Sequence, residues 1–290
     1  MGTEAIANAV VTRAELQRWY RPIFRNVHAT RDQPLTLGDR TRGAWLWSAR
    51  EGIVTGLAAA AIHGSQWIED DIDIELIHHY PRPPSGIITR HERIADDEWA
   101  EFDGIPVTTP ARTAFDLGRH QPGALSRLDA LMRARPYSIE DVLILTKRYK
   151  GARGVARLKQ IVGLVDAGAE SPWESWWRQL VIDAGFPAPT TQIPVLDESG
   201  RHVRTLDFGW NDHKVAFEYD GEQHQSDRQQ YLKDRRVWPV LARLGWQVTS
   251  TVKEDDPVDV LAQLHSSMAA RGWRGTIQIP DYVYRRRRRP

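Results

Sequence analysis

Apolar and polar positions alternate or recur along this chain in short, well-punctuated stretches, most clearly in its second half. Ser171-Pro-Trp-Glu174 reads as a capping box with proline at the first helical position. Trp176, Trp177, Leu180 and Val181 continue at helical spacing to a stop at Gly185. Thr191 to Leu196, Val203 to Trp210 and Lys214 to Asp220 then alternate, with turn residues at Asp197-Glu-Ser-Gly200 and Asn211-Asp212, and predict a β-meander. A helical segment from about Asp227 to Leu244 stops at Gly245, Trp246 to Val252 alternates as a strand, and Asp256-Pro257 starts a helix reaching Ala270. The predicted order is α-β-β-β-α-β-α.

The first half is less regular. Residues 4 to 20 read as short helical pieces and Ile23 to His28 as a strand, which suits the helices and wing of a small winged-helix module. Thr55 is placed to cap an alanine-rich helix ending at Gly64, and Ile72 to Ile77 alternates as a strand. Gly86 to Arg90 and Gly104 to Thr108 read as strands, Thr109-Pro110 caps a helix toward Leu117, and residues 123 to 133 and 138 to 148 add two helices. The small, polar stretch Asp166-Ala-Gly-Ala-Glu-Ser-Pro172 separates the halves. The predicted organisation is a winged-helix-like region (1–80), an α/β and helical region (81–165), a linker (166–172), an α+β domain (173–282) and a basic tail (283–290).

Composition narrows the classes. With 290 residues and 41% hydrophobic content the chain has material for about two cored domains. No apolar run reaches the length of a membrane span and no secretory leader is apparent, so a cytoplasmic protein is expected. The absence of cysteine removes disulfides, thiol nucleophiles and thiolate metal sites, leaving histidine and carboxylate ligands. The net charge of +1 hides a run of five arginines, Arg285 to Arg289, a feature of phosphate-binding tails and of plain solubilising ends alike.

Chemistry concentrates on the meander. Asp207 lies in its second strand, with Glu218 and Asp220 in its third; strand alternation puts Glu218 and Asp220 on one face and brings Asp207 alongside. Carboxylates that close resist ionisation without a cation, so the cluster points to a divalent ion, Mg²⁺ or Mn²⁺, or to a shared proton; solvated strand-end residues are the plainer alternative. Asp220-Gly-Glu-Gln-His224 adds an imidazole as a potential proton carrier. Glu174 is explained by the capping box. Asp234, Arg235 and Arg236 fit a phosphate-holding group or a solvated helix face.

Ser171-Pro-Trp-Glu-Ser-Trp-Trp-Arg178, Asp207-Phe-Gly-Trp210, Phe217-Glu-Tyr-Asp-Gly221 with His224, Asp234-Arg-Arg236 and Gly245-Trp246 together resemble the Vsr-like branch of the PD-(D/E)XK nucleases, over about residues 171 to 255. That resemblance implies an αβββαβ core and a metal-dependent phosphodiesterase in which Asp207 and Glu218 hold Mg²⁺ and Glu174 assists. The usual lysine of the E-x-K pair is Asp220 here, which makes Asp220 either a further metal ligand, with His224 or a second ion activating water, or the mark of a core that no longer cleaves.

Arg50, Gly52 to Gly56, the alanine-rich run to His63-Gly64 and Gly104-Ile-Pro-Val-Thr-Thr-Pro-Ala-Arg-Thr-Ala-Phe-Asp-Leu-Gly118 resemble AbiEi-type antitoxins of type IV toxin-antitoxin systems, over about residues 5 to 150. This implies an N-terminal winged helix on DNA with Arg13, Arg18, Arg21 and Arg25 facing phosphates. No catalytic group stands out in that half. The sequence therefore supports a metal-dependent DNA endonuclease of repair or defence, or a non-catalytic antitoxin-like DNA-binding regulator on a nuclease fold. An RNA-directed nuclease, a homodimer and a toxin-antitoxin partner remain open at this level.

Overall fold

The alternating and helical stretches fold into a mixed α/β structure with a four-stranded sheet, a five-stranded sheet and a separate two-stranded ribbon. The structure, a computed structural model, describes residues 1–80, 82–221 and 237–287, with side chains through Tyr284. The chain divides into two units, Met1–Val165 and Asp166–Pro290. No helix among the described residues is long and apolar enough to cross a membrane.

The first unit opens with α1 (Gly2–Ala7), α2 (Arg13–Trp19) and the antiparallel strands β1 (Tyr20–Phe24) and β2 (Val27–Thr30). Thr12 and Glu15 cap α2 reciprocally. The stretch Ile23 to His28, expected as one strand, is a hairpin that turns at Arg25-Asn26. Asn26 adopts a left-handed φ of 62°, which asparagine tolerates better than most residues.

After α3 (Leu37–Trp47) comes a sheet of β3 (Ile53–Thr55), β4 (Ile74–Ile77), β5 (Ile87–Arg90), β6 (Trp99–Phe102) and β7 (Ile105–Thr108), in the order β5-β4-β3-β7-β6. The central β3 has only three residues; it pairs antiparallel with β4 and parallel with β7, and Val54 packs with Leu76 and Val107 in the core. The β6–β7 hairpin turns at Asp103-Gly104, with φ of 47° and 75°, as type I′ geometry requires. Five helices complete the unit: α4 (Gly56–Ile62), α5 (Pro110–His120), α6 (Ala124–Ala134), α7 (Ile139–Arg148) and α8 (Val155–Ile161).

Helix α5 is buried on nearly every side, yet it carries Arg112, Asp116 and Arg119 into the interior. Arg112 Nε donates to Asp116 Oδ2 at 3.0 Å, its Nη1 to Glu98, and Arg119 Nη2 to Asp116 Oδ1 at 2.8 Å. Tyr149 donates to Glu98 Oε1 at 2.7 Å. Thr55, at the cap position of α4, does not cap it; its hydroxyl donates to Asp116 Oδ2 at 2.8 Å instead. Tertiary demand for an Asp116 partner outweighs the local cap. These charges join α5 to β3, to the turn before β6 and to the end of α7.

The second unit begins with α9 (Pro172–Asp183) and a sheet of β8 (Thr190–Leu196), β9 (His202–Trp210), β10 (Val215–Tyr219) and β11 (Gln247–Thr251). The sheet order is β11-β10-β9-β8; β8, β9 and β10 form an antiparallel meander and β11 returns parallel to β10. Helix α10 (237–243) precedes β11, and α11 (Pro257–Ala270) follows it with Asp256 capping Val258 N. The rest of the helix expected from Asp227 lies outside the described residues. Trp177, Leu180, Phe208, Phe217, Leu261 and Leu264 form the core on one side of the sheet, and Ile193, Leu206, Ala216, Leu241 and Trp246 that on the other. The first residues of the expected basic tail, 283–287, belong to α12 (Asp281–Arg287), whose Val283 is buried in the first of these cores.

Arg112→Leu leaves the buried carboxylates Glu98 and Asp116 without a shared cation, so the first unit is expected to lose about 3–5 kcal/mol of stability. Arg148→Ala, at the partly exposed rim of the same network, is expected to lose about 1 kcal/mol or less. Denaturant midpoints of both variants against the parent chain check this ordering.

Candidate functional site

Asp207 sits where strand pairing is interrupted on both sides. The β9–β10 ladder runs from Trp210–Val215 to Phe208–Phe217 and stops there. On the other edge, Thr191 pairs with Phe208 and Ile193 with Leu206, while Gln192, with a φ of 49°, pairs with neither. Leu206 and Phe208 are two residues apart, a spacing that places side chains on one face of a regular strand, yet they pack into the two opposite cores. The strand thus steps across the sheet at Asp207, and the carboxylate takes over the ladder by accepting the Tyr219 N–H at 2.7 Å. Gly209 supports this junction, because a Cβ there would lie 2.5 Å from the Val215 carbonyl oxygen.

Burial is the largest influence on the Asp207 carboxyl, followed by the negative charge of Glu174 on α9; the Tyr219 N–H and the positive charge of Arg204 oppose them. The balance pushes Asp207 up to about 7. Asp207 has no ion-pair partner among the described residues. Glu174 is itself buried, and its role at the helix start is divided. Ser171 Oγ caps Glu174 N at 3.1 Å as the capping box predicts, but the Glu174 carboxylate accepts from Glu170 N at 2.7 Å rather than from Ser171.

Glu218 is placed differently. Arg204 grips both its oxygens, Nε to Oε1 and Nη2 to Oε2, each at 2.7 Å, and the guanidinium lies 5.7 Å from the Trp238 ring centroid. Asp220 follows the end of β10 with its backbone N–H on the Thr251 carbonyl at 2.8 Å. The structure therefore couples Asp207 with Glu174 and holds Glu218 against arginine. Among the described residues, Asp207, Glu218 and Asp220 do not bring three ligand atoms within 4.8 Å of one another. His224, Asp234, Arg235 and Arg236 lie outside the described residues.

The four N-terminal arginines named for phosphate contact lie in the first unit's opening elements. Arg13 and Arg18 are exposed on α2, and Arg18 lies 4.7 Å from the exposed Trp19 ring. Arg25 is exposed at the hairpin tip, while Arg21 is partly buried and donates to the Gln33 carbonyl at 3.2 Å.

A further cluster escaped the sequence reading. Glu92, Asp116 and His120 each offer a ligand atom within 4.8 Å of the others. Arg119 Nη2 bridges Glu92 and Asp116 at 2.5 and 2.8 Å, and Arg112 approaches both carboxylates. Burial pushes Glu92 up, but hydrogen bonds from His120 and Arg119 outweigh it and bring the carboxyl down to about 2. The guanidiniums occupy the position of a cation, so the cluster is a satisfied ionic core. The Arg-x-x-x-Asp-x-x-Arg spacing on α5 was the available signal: i, i+4 and i+3 place all three side chains on one helix face.

An acid whose folded-state pKa lies above its ordinary value holds a proton that the unfolded chain has already lost. Between about pH 4 and pH 7 the Asp207 contribution to stability therefore falls as pH rises, and above that window the full penalty is present. Asp207→Asn removes the penalty and keeps an acceptor for Tyr219 N–H. Thermal melts without metal are expected to show the variant near the parent at pH 4 and more stable at pH 8, by up to about 4 kcal/mol.

No family model matches the chain, and no solved structure matches it. It is 30% identical over 201 residues to the uncharacterized protein Rv2248 of Mycobacterium tuberculosis (strain ATCC 25618 / H37Rv), an alignment covering 68% of this chain and 73% of the relative. The uncharacterized protein MT2308 of Mycobacterium tuberculosis (strain CDC 1551 / Oshkosh) matches with the same identity and coverage. At that identity and coverage, the chain belongs to the same family as these two mycobacterial proteins.

Proposed function

We propose that this protein is a divalent-metal-dependent DNA endonuclease whose catalytic unit is a Vsr-like PD-(D/E)XK core, joined to an AbiEi-like DNA-binding N-terminal region. The observation that carries the reading is Asp207: a partly buried carboxyl at a break between two strands, pushed up to about 7 by burial and by the negative charge of Glu174. The element order from α9 to β11, with β11 parallel to β10, agrees with the αβββαβ arrangement.

The donor set suits a hard dication. Asp207 and Glu174 are carboxylates held near one another, and a positive charge between them relieves both the burial and the repulsion that raise Asp207. Mg²⁺ or Mn²⁺ would supply charge to a scissile phosphate and a lowered pKa to an attacking water. Asp207 is the principal ligand in this reading, fixed by its bond from Tyr219 N, and Glu174 is fixed at its backbone by the Ser171 cap. Arg204 holds both oxygens of Glu218, so recruitment of Glu218 as a ligand requires exchange of a bidentate guanidinium. Asp220 stands two residues further along.

That guanidinium favours a second reading. A core in which arginine satisfies Glu218 and an aspartate replaces the E-x-K lysine is suited to binding DNA without cutting it, as an antitoxin-like regulator would.

Supercoiled, linear and single-stranded DNA, and RNA, incubated with Mg²⁺, Mn²⁺ or EDTA separate the two. The nuclease reading expects metal-dependent cleavage that falls at least about a hundredfold in Asp207→Ala and Glu174→Gln while both variants stay folded. Saturable DNA binding with no cleavage under any metal condition would instead establish the regulator, and cleavage of RNA alone would replace the substrate. In melts, Mg²⁺ or Mn²⁺ is expected to stabilise the parent chain more at pH 8 than at pH 5, and Asp207→Asn at neither. For the N-terminal region, Arg18→Ala and Arg25→Ala are each expected to weaken binding similarly across DNA sequences and to lower the salt slope by about one. An unchanged slope in both would remove this surface from the interface.

A further inference from the structure

A cavity of about 320 Å³ lies in the second unit between the start of α9, the segment after β11 and α12. Its aromatic lining is Trp173, Trp176, Trp177 and Tyr282, and its rim is Lys253, Glu254, Asp255 and Asp256. Neither Asp207 nor Glu174 lines it.

The aromatic walls meet at steep angles. Trp173 and Trp176 have centroids 5.8 Å apart at 78°, and Trp176 and Trp177 are 4.9 Å apart at 77°. Two contacts fix the box: Tyr219 stacks on Trp173 at 5.6 Å and 18°, and the Tyr282 hydroxyl donates to Asp183 Oδ2 at 2.9 Å. A flat nucleobase is best held by parallel faces, and these tryptophans do not form such a slot. Electron-rich indole and phenol rings lining one cavity suit a compact organic cation, which is drawn to an aromatic ring without needing a parallel slot.

Among the described side chains the rim has the matching sign, with three carboxylates against one ammonium. Asp255 accepts from Thr251 Oγ1 and Val252 N, each at 2.9 Å, and Asp256 from Val258 N at 2.9 Å, so both are held in place by local hydrogen bonds. Aromatic walls alone would accept any apolar group, and carboxylates alone would accept a metal ion. Together they select a cation with an apolar body. We propose that this cavity binds a guanidinium or alkylammonium group.

The test uses the full ¹⁵N-labelled chain and follows the indole N–H resonances of Trp173 and Trp176, assigned through Trp173→Phe and Trp176→Phe. The probes are choline, its neutral isostere 3,3-dimethyl-1-butanol, N-acetyl-arginine amide, an arginine-containing tripeptide and adenosine. The expected result is saturable shifts with choline or the arginine compounds, and binding of the neutral alcohol about tenfold weaker. Glu254→Gln, an exposed change that spares the core, is expected to weaken the cations and leave the alcohol unaffected. A preference for choline assigns the site to small quaternary amines, and a preference for the tripeptide assigns it to a polypeptide side chain. Equal binding of choline and the alcohol, stronger binding of adenosine, or no saturable shift with any cation overturns the proposal.

Discussion

A carboxylate taken out of water needs a cation, a hydrogen-bond donor set or a proton, and that requirement organises both units of this protein. In the first unit the cations are built in. Arg112 and Arg119 on α5 reach Glu92, Glu98 and Asp116, so the interior charges are paired by the fold that buries them. In the second unit Arg204 does the same for Glu218, but Asp207 receives one backbone N–H and a neighbouring negative charge. Its state is the unsatisfied one.

That difference sets the two carboxylate groups apart. Glu92, Asp116 and His120 have the spacing of a metal site, but Arg119 already bridges the two carboxylates and Glu92 is driven low. Asp207 is driven in the opposite direction. A divalent ion entering the first cluster would have to displace a buried guanidinium, whereas one arriving between Asp207 and Glu174 would relieve a repulsion. The same electrostatics that make the first cluster convincing by geometry therefore make it the weaker candidate by chemistry.

The tryptophans of α9 link the core to the surface of the second unit. Trp177 packs on Phe217 in the core, while Trp173 stacks on Tyr219, the residue whose backbone N–H holds Asp207. One short helix thus anchors the sheet, carries Glu174 toward Asp207 and supplies the walls of the aromatic cavity. Trp173 and Trp177, four residues apart, share a helix face, and Trp177 serves both the core and the cavity wall.

Much of the second unit was determined by sequence alone. The meander, the helix opening at Ser171-Pro172 and the cap at Asp256 follow from alternation and from local hydrogen-bonding groups, so neighbours in the chain suffice to specify them. The first unit was less legible for the same reason: three residues of β3 are too few to show a period, and β6, with Ala100 and Glu101 exposed between Trp99 and Phe102, does not alternate. Tertiary structure decided which charges face each other. Nothing within a strand tells Glu218 that Arg204, fourteen residues back, will take both its oxygens, nor Thr55 that Asp116 will claim its hydroxyl. Nor does period-two alternation anticipate a strand that steps from one face of its sheet to the other at Asp207. Those outcomes depend on long-range pairing and on burial, the two quantities that a local pattern does not contain.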